Sequence, residues 1–254
     1  MGVGGAVVVG EAGVGNVLVR HGPEPIGAGT GPCRREAPVE PLSVEVPEGV
    51  RLSVGVCDPG TGRSAVYGDD SYDAASVVKV GILAALLLGA QDADRPLTAA
   101  ERERAASMIG RSDNDAATAL WHVIGGAAGL DAAHRRLGLT ATAAGENGYW
   151  GLTRTTAGDQ LTLLRHVFGH SSVLSPASRA YLAGLMGSVV PEQRWGVSAV
   201  GPGALKNGWF PRDATGRWVV HSVGRVTGGG GDRLLAVLSE GTASRAEGVA
   251  LVES

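Results

Sequence analysis

The chain has 254 residues, 44% of them hydrophobic, enough for one sizeable core or for one domain with a large insertion. A formal net charge of -3 and a pI near 6.1 exclude a basic footprint for nucleic acid. The two cysteines, Cys33 and Cys57, form neither a disulfide framework nor a C-x-x-C motif.

Residues 1–48 are rich in Gly, Val and Pro and read as an N-terminal extension or strap. Within them, Ala6-Val7-Val8-Val9 and Asn16-Val17-Leu18-Val19 read as short strands around a glycine turn. The first basic residue is Arg20, and Glu11 and several glycines break any apolar run, so a signal peptide is not expected. No stretch of about eighteen uninterrupted apolar residues predicts a membrane span. The expected location is cytoplasmic, or secreted if the true start lies upstream.

Arg51-Leu52-Ser53-Val54-Gly55-Val56-Cys57 alternates as a strand, and Cys57 reads as a small core residue. Asp58-Pro59-Gly60-Thr61-Gly62 is a turn, and Ser64-Ala65-Val66-Tyr67-Gly68 returns as the partner strand. Next comes Ser76-Val77-Val78-Lys79, followed by an apolar run from Val80 to Leu88 that suits a helix buried on all sides. Residues i and i+3 share a helix face, so the Lys79 amine reaches the Ser76 hydroxyl. Burial disfavours the charged amine and makes it a base for the serine proton.

The middle of the chain reads as helical. Thr98-Ala99-Ala100-Glu101 is a capping box opening a helix to about Gly110, and Ser112-Asp113-Asn114 interrupts before a helix from Asp115 to about Ile124. Further helices are expected over about 127–137, 156–168 and 176–186, the last opened by Ser175-Pro176. His166 and His170 are spaced i, i+4 but lack H-E-x-x-H and a third ligand, so no metal site is expected. Gly10, Gly13 and Gly15 do not make a dinucleotide-binding loop. The end reads as β: a strand through Lys206-Asn207-Gly208-Trp209-Phe210, a second over 217–226, a third over 233–239, then a short helix at about 244–252.

S-x-x-K, then S-D-N, then K-T-G, in that order, is the signature of class A β-lactamases and penicillin-binding proteins. With Ser76 and Lys79, Ser112-Asp113-Asn114 and Lys206-Asn207-Gly208, this chain resembles that superfamily of serine hydrolases. It departs at Asn207, where the family has Thr or Ser. The resemblance implies an α+β fold, an αβα sandwich with a five-stranded antiparallel sheet, flanking helices and an inserted all-helical lobe. The expected partition is a sheet lobe over 49–72 and 200–254 and a helical lobe over 73–199, with the cleft between them.

The resemblance also implies roles. Ser76 is the nucleophile and Lys79 its base, or the residue that positions it. Ser112 relays a proton to the leaving group, between Lys79 and Lys206. Lys206 supplies positive charge for a substrate carboxylate and tunes Ser112. The backbone N–H groups of Ser76 and Trp209 make the oxyanion hole, and Asn114, Asn207, Gly208 and Trp209 bind substrate. Thr155-Thr156-Ala157 resembles the helix start that follows the deacylation loop of class A enzymes, but the loop is short. Glu146 is its only carboxylate and so the possible deacylation base, although counting back from Thr156 places it too close for a residue-by-residue match.

The implied activity is acyl-enzyme hydrolysis or acyl transfer on an amide or ester of a small molecule, in a metabolic or biosynthetic role, with no cofactor. A β-lactamase or D-alanyl-D-alanine carboxypeptidase is the first alternative, and a non-catalytic binding or sensor protein the second. No nucleic-acid or membrane partner is expected.

Overall fold

The computed structural model describes residues 46–68, 70–228 and 230–254, so the strands and strap expected within 1–45 lie outside the described residues. In chain order come β1 (Arg51–Cys57), β2 (Ser64–Tyr67), β3 (Tyr72–Asp73), α1 (Val78–Asp92), α2 (Ala99–Gly110), α3 (Asn114–Val123) and α4 (Gly126–Arg136). There follow β4 (Arg154–Thr155), α5 (Ala157–Phe168), α6 (Pro176–Gly187), β5 (Gly203–Pro211), β6 (Trp218–Gly228), β7 (Gly231–Thr242) and α7 (Arg245–Glu253).

Five strands form one antiparallel sheet in the order β2-β1-β7-β6-β5, which leaves β5 on an edge. The twofold period of a strand divides β7 between the faces. Leu234, Ala236 and Leu238 join the core beneath α5, whereas Leu235 packs with Val197 and Leu205 on the other side. The helix α7 covers that second face through Val252, beside Val220 and Trp195. Helices on both sides of one sheet give the α+β sandwich that the motif order implied. Gly55 sets how closely α5 approaches: a Cβ there would meet Leu161 Cδ1 at 2.8 Å and the Ala157 carbonyl oxygen at 3.2 Å.

The helix α1 is buried almost all round, as its uniformly apolar sequence requires. The helical run Ala75–Asp92 is long and apolar enough to cross a membrane by length and composition, although its apolar residues are not uninterrupted; 78% of it is buried inside the protein, as a core helix. The capping box forms as expected: Thr98 accepts from the Glu101 N–H, and Glu101 accepts from the Thr98 N–H. Ser175 caps α6 with Pro176 at its first position.

Two features of the 73–199 segment were not expected. A second, two-stranded sheet pairs β3 with β4, and the Ala74 N–H donates to the Thr153 carbonyl at 2.7 Å. In addition, α5 lies against the main sheet as well as against α6. Buried Asp159 accepts from the Ala141 N–H and the Thr142 hydroxyl, tying the 138–155 loop to α5. This small sheet brings the loop over the turn that carries Ser76.

Candidate active site

Ser76 sits in a 3-10 turn (Ala75–Val77) that runs into α1 without a break. Ala75, immediately before it, has φ +49°, a left-handed conformation that costs energy for a residue with a Cβ and is held by the surrounding packing. Ser112 is likewise left-handed, with φ +58°, in the connection between α2 and α3. Asp113 caps α3 by accepting from the Ala116 N–H at 2.9 Å and also accepts from the Ser107 hydroxyl at 2.8 Å. These bonds hold the connection, with Ser112 and Asn114 reaching the same amine from either side of Asp113.

That amine is Lys79 Nζ. It lies 2.9 Å from Ser76 Oγ, 2.8 Å from the Ser112 carbonyl oxygen, 3.2 Å from Ser112 Oγ and 2.7 Å from Asn114 Oδ1. The lysine is fully buried, and burial lowers its pKa from 10.5 to about 7, with the Asp113 charge opposing weakly. A neutral amine has two hydrogens and one lone pair. The Ser112 carbonyl and Asn114 Oδ1 can only accept, so they take both hydrogens, and the lone pair is left to a hydroxyl proton. A neutral Lys79 can therefore accept a proton from the Ser76 hydroxyl, the nearer one, or from the Ser112 hydroxyl.

On β5, Lys206 is also fully buried. Its Nζ donates to Ser112 Oγ at 2.9 Å and to the Asn207 carbonyl at 2.7 Å. Burial, and then the Lys79 charge, lower its proton affinity well below the ordinary lysine value. The Ser112 hydroxyl thus bridges two lysines. Gly208 brings β5 against the Ser76 turn: a Cβ there would lie 2.6 Å from Ser76 N. Beneath this contact His221, paired with Gly208 on β6, accepts from the Ser239 N–H at Nδ1 and so donates from Nε2 to the Asp73 carbonyl at 2.9 Å.

Asn207 and Trp209 point away from this cleft, which corrects the expectation that their side chains bind substrate. Strand alternation places Lys206 and Gly208 on the face of the lobe and Asn207 and Trp209 on the opposite face. Asn207 is buried, and its amide donates to the Gln193 and Trp195 carbonyls, both at 2.9 Å. The Trp209 ring lies 5.6 Å from that of Trp195 and stacks under Arg245 of α7 at 4.1 Å. Glu146 is exposed, in a turn closed by the Tyr149 N–H on the Glu146 carbonyl. The group that this loop brings to Lys79 is instead Trp150, whose ring centroid is 4.8 Å from Nζ.

Sequence reasoning missed Trp150 and also Gln193, whose amide donates to the Arg111 carbonyl at 2.8 Å and links the Ser112 turn to Asn207. One available signal went unread. Of the 22 basic residues only Lys79 and Lys206 are lysines; all others are arginine, which cannot give up its proton in a protein. Both lysines are fully buried at this site, where an amine can become neutral and a guanidinium cannot. Among the described residues no group of three or more His, Cys, Asp or Glu could hold a metal ion.

A serine and lysine on a core helix, facing a second serine and an edge-strand lysine across a sheet-and-helix cleft, define the serine β-lactamase-like class. The model of the Beta-lactamase enzyme family matches residues 90–254, beginning after the Ser76 turn, and the chain belongs to that family. It is 30% identical over 172 residues to proteins named "Putative lipoprotein LppW" in Mycobacterium tuberculosis and Mycobacterium bovis, an alignment covering 64% of this chain and 55% of theirs. The chain thus spans about half the length of the curated relatives it matches. Among solved structures it is similar to TLA-1 extended-spectrum β-lactamase, with a TM-score of 0.72, 16% identity, and 82% of this chain and 90% of that one covered. A class A β-lactamase from Bacteroides cellulosilyticus gives a TM-score of 0.71 at 16% identity, covering 82% and 89%. An ancestral class A β-lactamase gives 0.66 at 24% identity, covering 81% and 91%. These likenesses show the fold.

Proposed function

We propose that this protein is a serine hydrolase or acyltransferase that forms an acyl-enzyme on Ser76 from an amide or ester of a small molecule. The observation that carries this reading is the hydrogen-bond set of Lys79, which leaves a lone pair beside Ser76 Oγ. Lys79 takes the Ser76 proton as Oγ attacks the substrate carbonyl carbon. The negative charge that develops on the carbonyl oxygen goes to the N–H groups of Ser76 and Trp209, where one such donor is worth roughly 3–4 kcal/mol. The proton passes from Lys79 through the Ser112 hydroxyl to the leaving nitrogen or oxygen, and that bond breaks. Water, or another hydroxyl or amine, then attacks the Ser76 ester and regenerates the serine.

Lys206 holds Ser112 in line and supplies positive charge when protonated. Asn114 orients Lys79, and Gly208 gives substrate room along β5. The side chains of Asn207 and Trp209 take no part in recognition, so the hydroxyl that relatives place beside the second lysine is missing. With Glu146 exposed, Lys79 or Ser112 must activate the deacylating nucleophile. Both features favour a metabolic or biosynthetic acyl donor over a β-lactam as the physiological substrate. The lipoprotein name of the mycobacterial relatives favours the cell envelope over the cytoplasm, which fractionation of native cells would test.

The decisive experiment is the intact-protein mass after incubation with benzylpenicillin, with Ser76→Ala in parallel. A mass increase that the variant loses is the expected result. If neither an adduct nor turnover forms with benzylpenicillin or with a panel of simple esters and amides, the protein is a binder on this fold and the proposal is wrong.

A further inference from the structure

The Trp150 indole has a position that the acyl-transfer reading does not use. It lies in a 3-10 turn (Trp150–Leu152) that packs against the 3-10 turn of Ser76. Its ring faces Lys79 Nζ at 4.8 Å, while its Nε1–H donates to Thr118 Oγ1 of α3 at 3.2 Å. The ring therefore spans from the 138–155 loop to α3, with the lysine beneath it. Trp150 is itself half-buried against the main core, so the indole is braced on the protein side and wet on the other.

We propose that Trp150 is a positioning residue that roofs Lys79, keeping bulk water off the amine that serves Ser76. The hydrogen-bond partners of Nζ, from Ser76, Ser112 and Asn114, are all short polar groups, whereas the indole offers it an apolar face. The charged groups that act on this amine are Asp113, from the connection between α2 and α3, and Lys206 from β5. Asp113 is itself occupied by the Ala116 N–H and the Ser107 hydroxyl.

Removing the indole has two opposed effects. It deletes an aromatic face that attracts the ammonium, and it admits water, which also stabilises the ammonium. Burial is the largest cause of the low proton affinity of Lys79 and the indole is part of what buries it, so its removal is expected to let the amine hold its proton to higher pH.

The test uses the fact that the chain has two lysines. Protein labelled with carbon-13 at lysine Cε gives two side-chain signals, assigned by Lys206→Arg, and their titration is followed by NMR. In the unsubstituted protein the Lys79 signal is expected to titrate near 7. In Trp150→Ala its midpoint should rise by about one pH unit or more, following the usual effect of hydrating a buried amine. Trp150→Phe, which keeps an apolar cover, should shift it by less than half as much. Thr118→Val, which cuts the anchor, should also raise it.

The Lys206 signal reports whether each variant remains folded. An unchanged or lowered midpoint in folded Trp150→Ala overturns the proposal. If that variant does not fold, an unchanged midpoint in both Trp150→Phe and Thr118→Val overturns it. The proposal rests on Lys79 acting as the base of the reaction above, but its readout needs no substrate. Failure of benzylpenicillin and of the ester and amide panel to give either an adduct or turnover would sink the hydrolase reading while the lysine titration still decided the role of Trp150.

Discussion

Gly208→Ala adds a single methyl group where β5 meets the Ser76 turn. Its Cβ would sit 2.6 Å from Ser76 N, 2.9 Å from Val77 N and 3.1 Å from Ala75 Cβ. Ordinary contacts begin near 3.4 Å, so the strand and turn must separate by the better part of an ångström. None of the three atoms belongs to a flexible side chain that could swing aside. The displaced groups include the Ser76 N–H and the strand carrying the Trp209 N–H, the two donors assigned to the oxyanion. A displacement of about 1 Å at reacting groups costs on the order of 100-fold in rate, and loss of one oxyanion donor about 100- to 1,000-fold. The expected fall in acylation rate is therefore about two to three orders of magnitude. Overpacking should also cost about 1–3 kcal/mol of stability. The assay is the time course of the benzylpenicillin adduct by intact-protein mass, with a thermal melt to show that the variant is folded. A folded Gly208→Ala protein that acylates within about threefold of the parent would refute the assigned oxyanion geometry, since a donor worth several kcal/mol cannot move without cost.

The same assay run against pH should show acylation falling about tenfold per unit below about 7, because Lys79 must be neutral to accept the serine proton; a flat profile down to pH 5 would exclude it as the base. Lys79→Arg should abolish acylation at every pH, since a guanidinium keeps its proton. Asn207→Ala leaves the Gln193 and Trp195 carbonyls without their donor and should cost about 1–3 kcal/mol in a urea melt; no loss would mean that water replaces the amide freely. His221 is buried and neutral, its pKa lowered from 6.5 to about 4, chiefly by burial. Its unfolded form gains a proton first as pH falls, so this contribution is complete above about 6.5 and is lost as pH drops toward 4. The linked loss is about 3 kcal/mol. His221→Gln should flatten the stability difference between pH 7 and 4.5, and an unchanged slope would assign the acid sensitivity elsewhere.

What could be read directly from the chain was whatever has a local period or a fixed order. The alternation in Arg51–Cys57, the capping box at Thr98 and the Ser175-Pro176 start each specify their own element without help from distant residues. The order of three motifs then supplied the fold. The residues missed depend on contacts across the chain. β3 and β4 are two residues each, too short to show a period, and exist because Tyr72 and Thr155 meet in space. Trp150 and Gln193 reach the site from loops with no motif of their own. Asn207 is a different failure, because its direction was legible. Once Lys206 was assigned to the cleft on a strand, twofold alternation required Asn207 and Trp209 to face the other way.

The restriction of lysine to Lys79 and Lys206 has a consequence for handling this protein. A protease that cuts only after lysine finds two targets, one in α1 and one in β5, and both side chains are fully buried. The folded molecule offers such an enzyme nothing to cut at its surface. Digestion proceeds only through molecules in which α1 or β5 has opened, and when reclosing outpaces cleavage its rate reports the population of that open form. Limited proteolysis thus becomes a gauge of how firmly the elements that carry the site are held, and a ligand that binds against them should slow it as its occupancy rises.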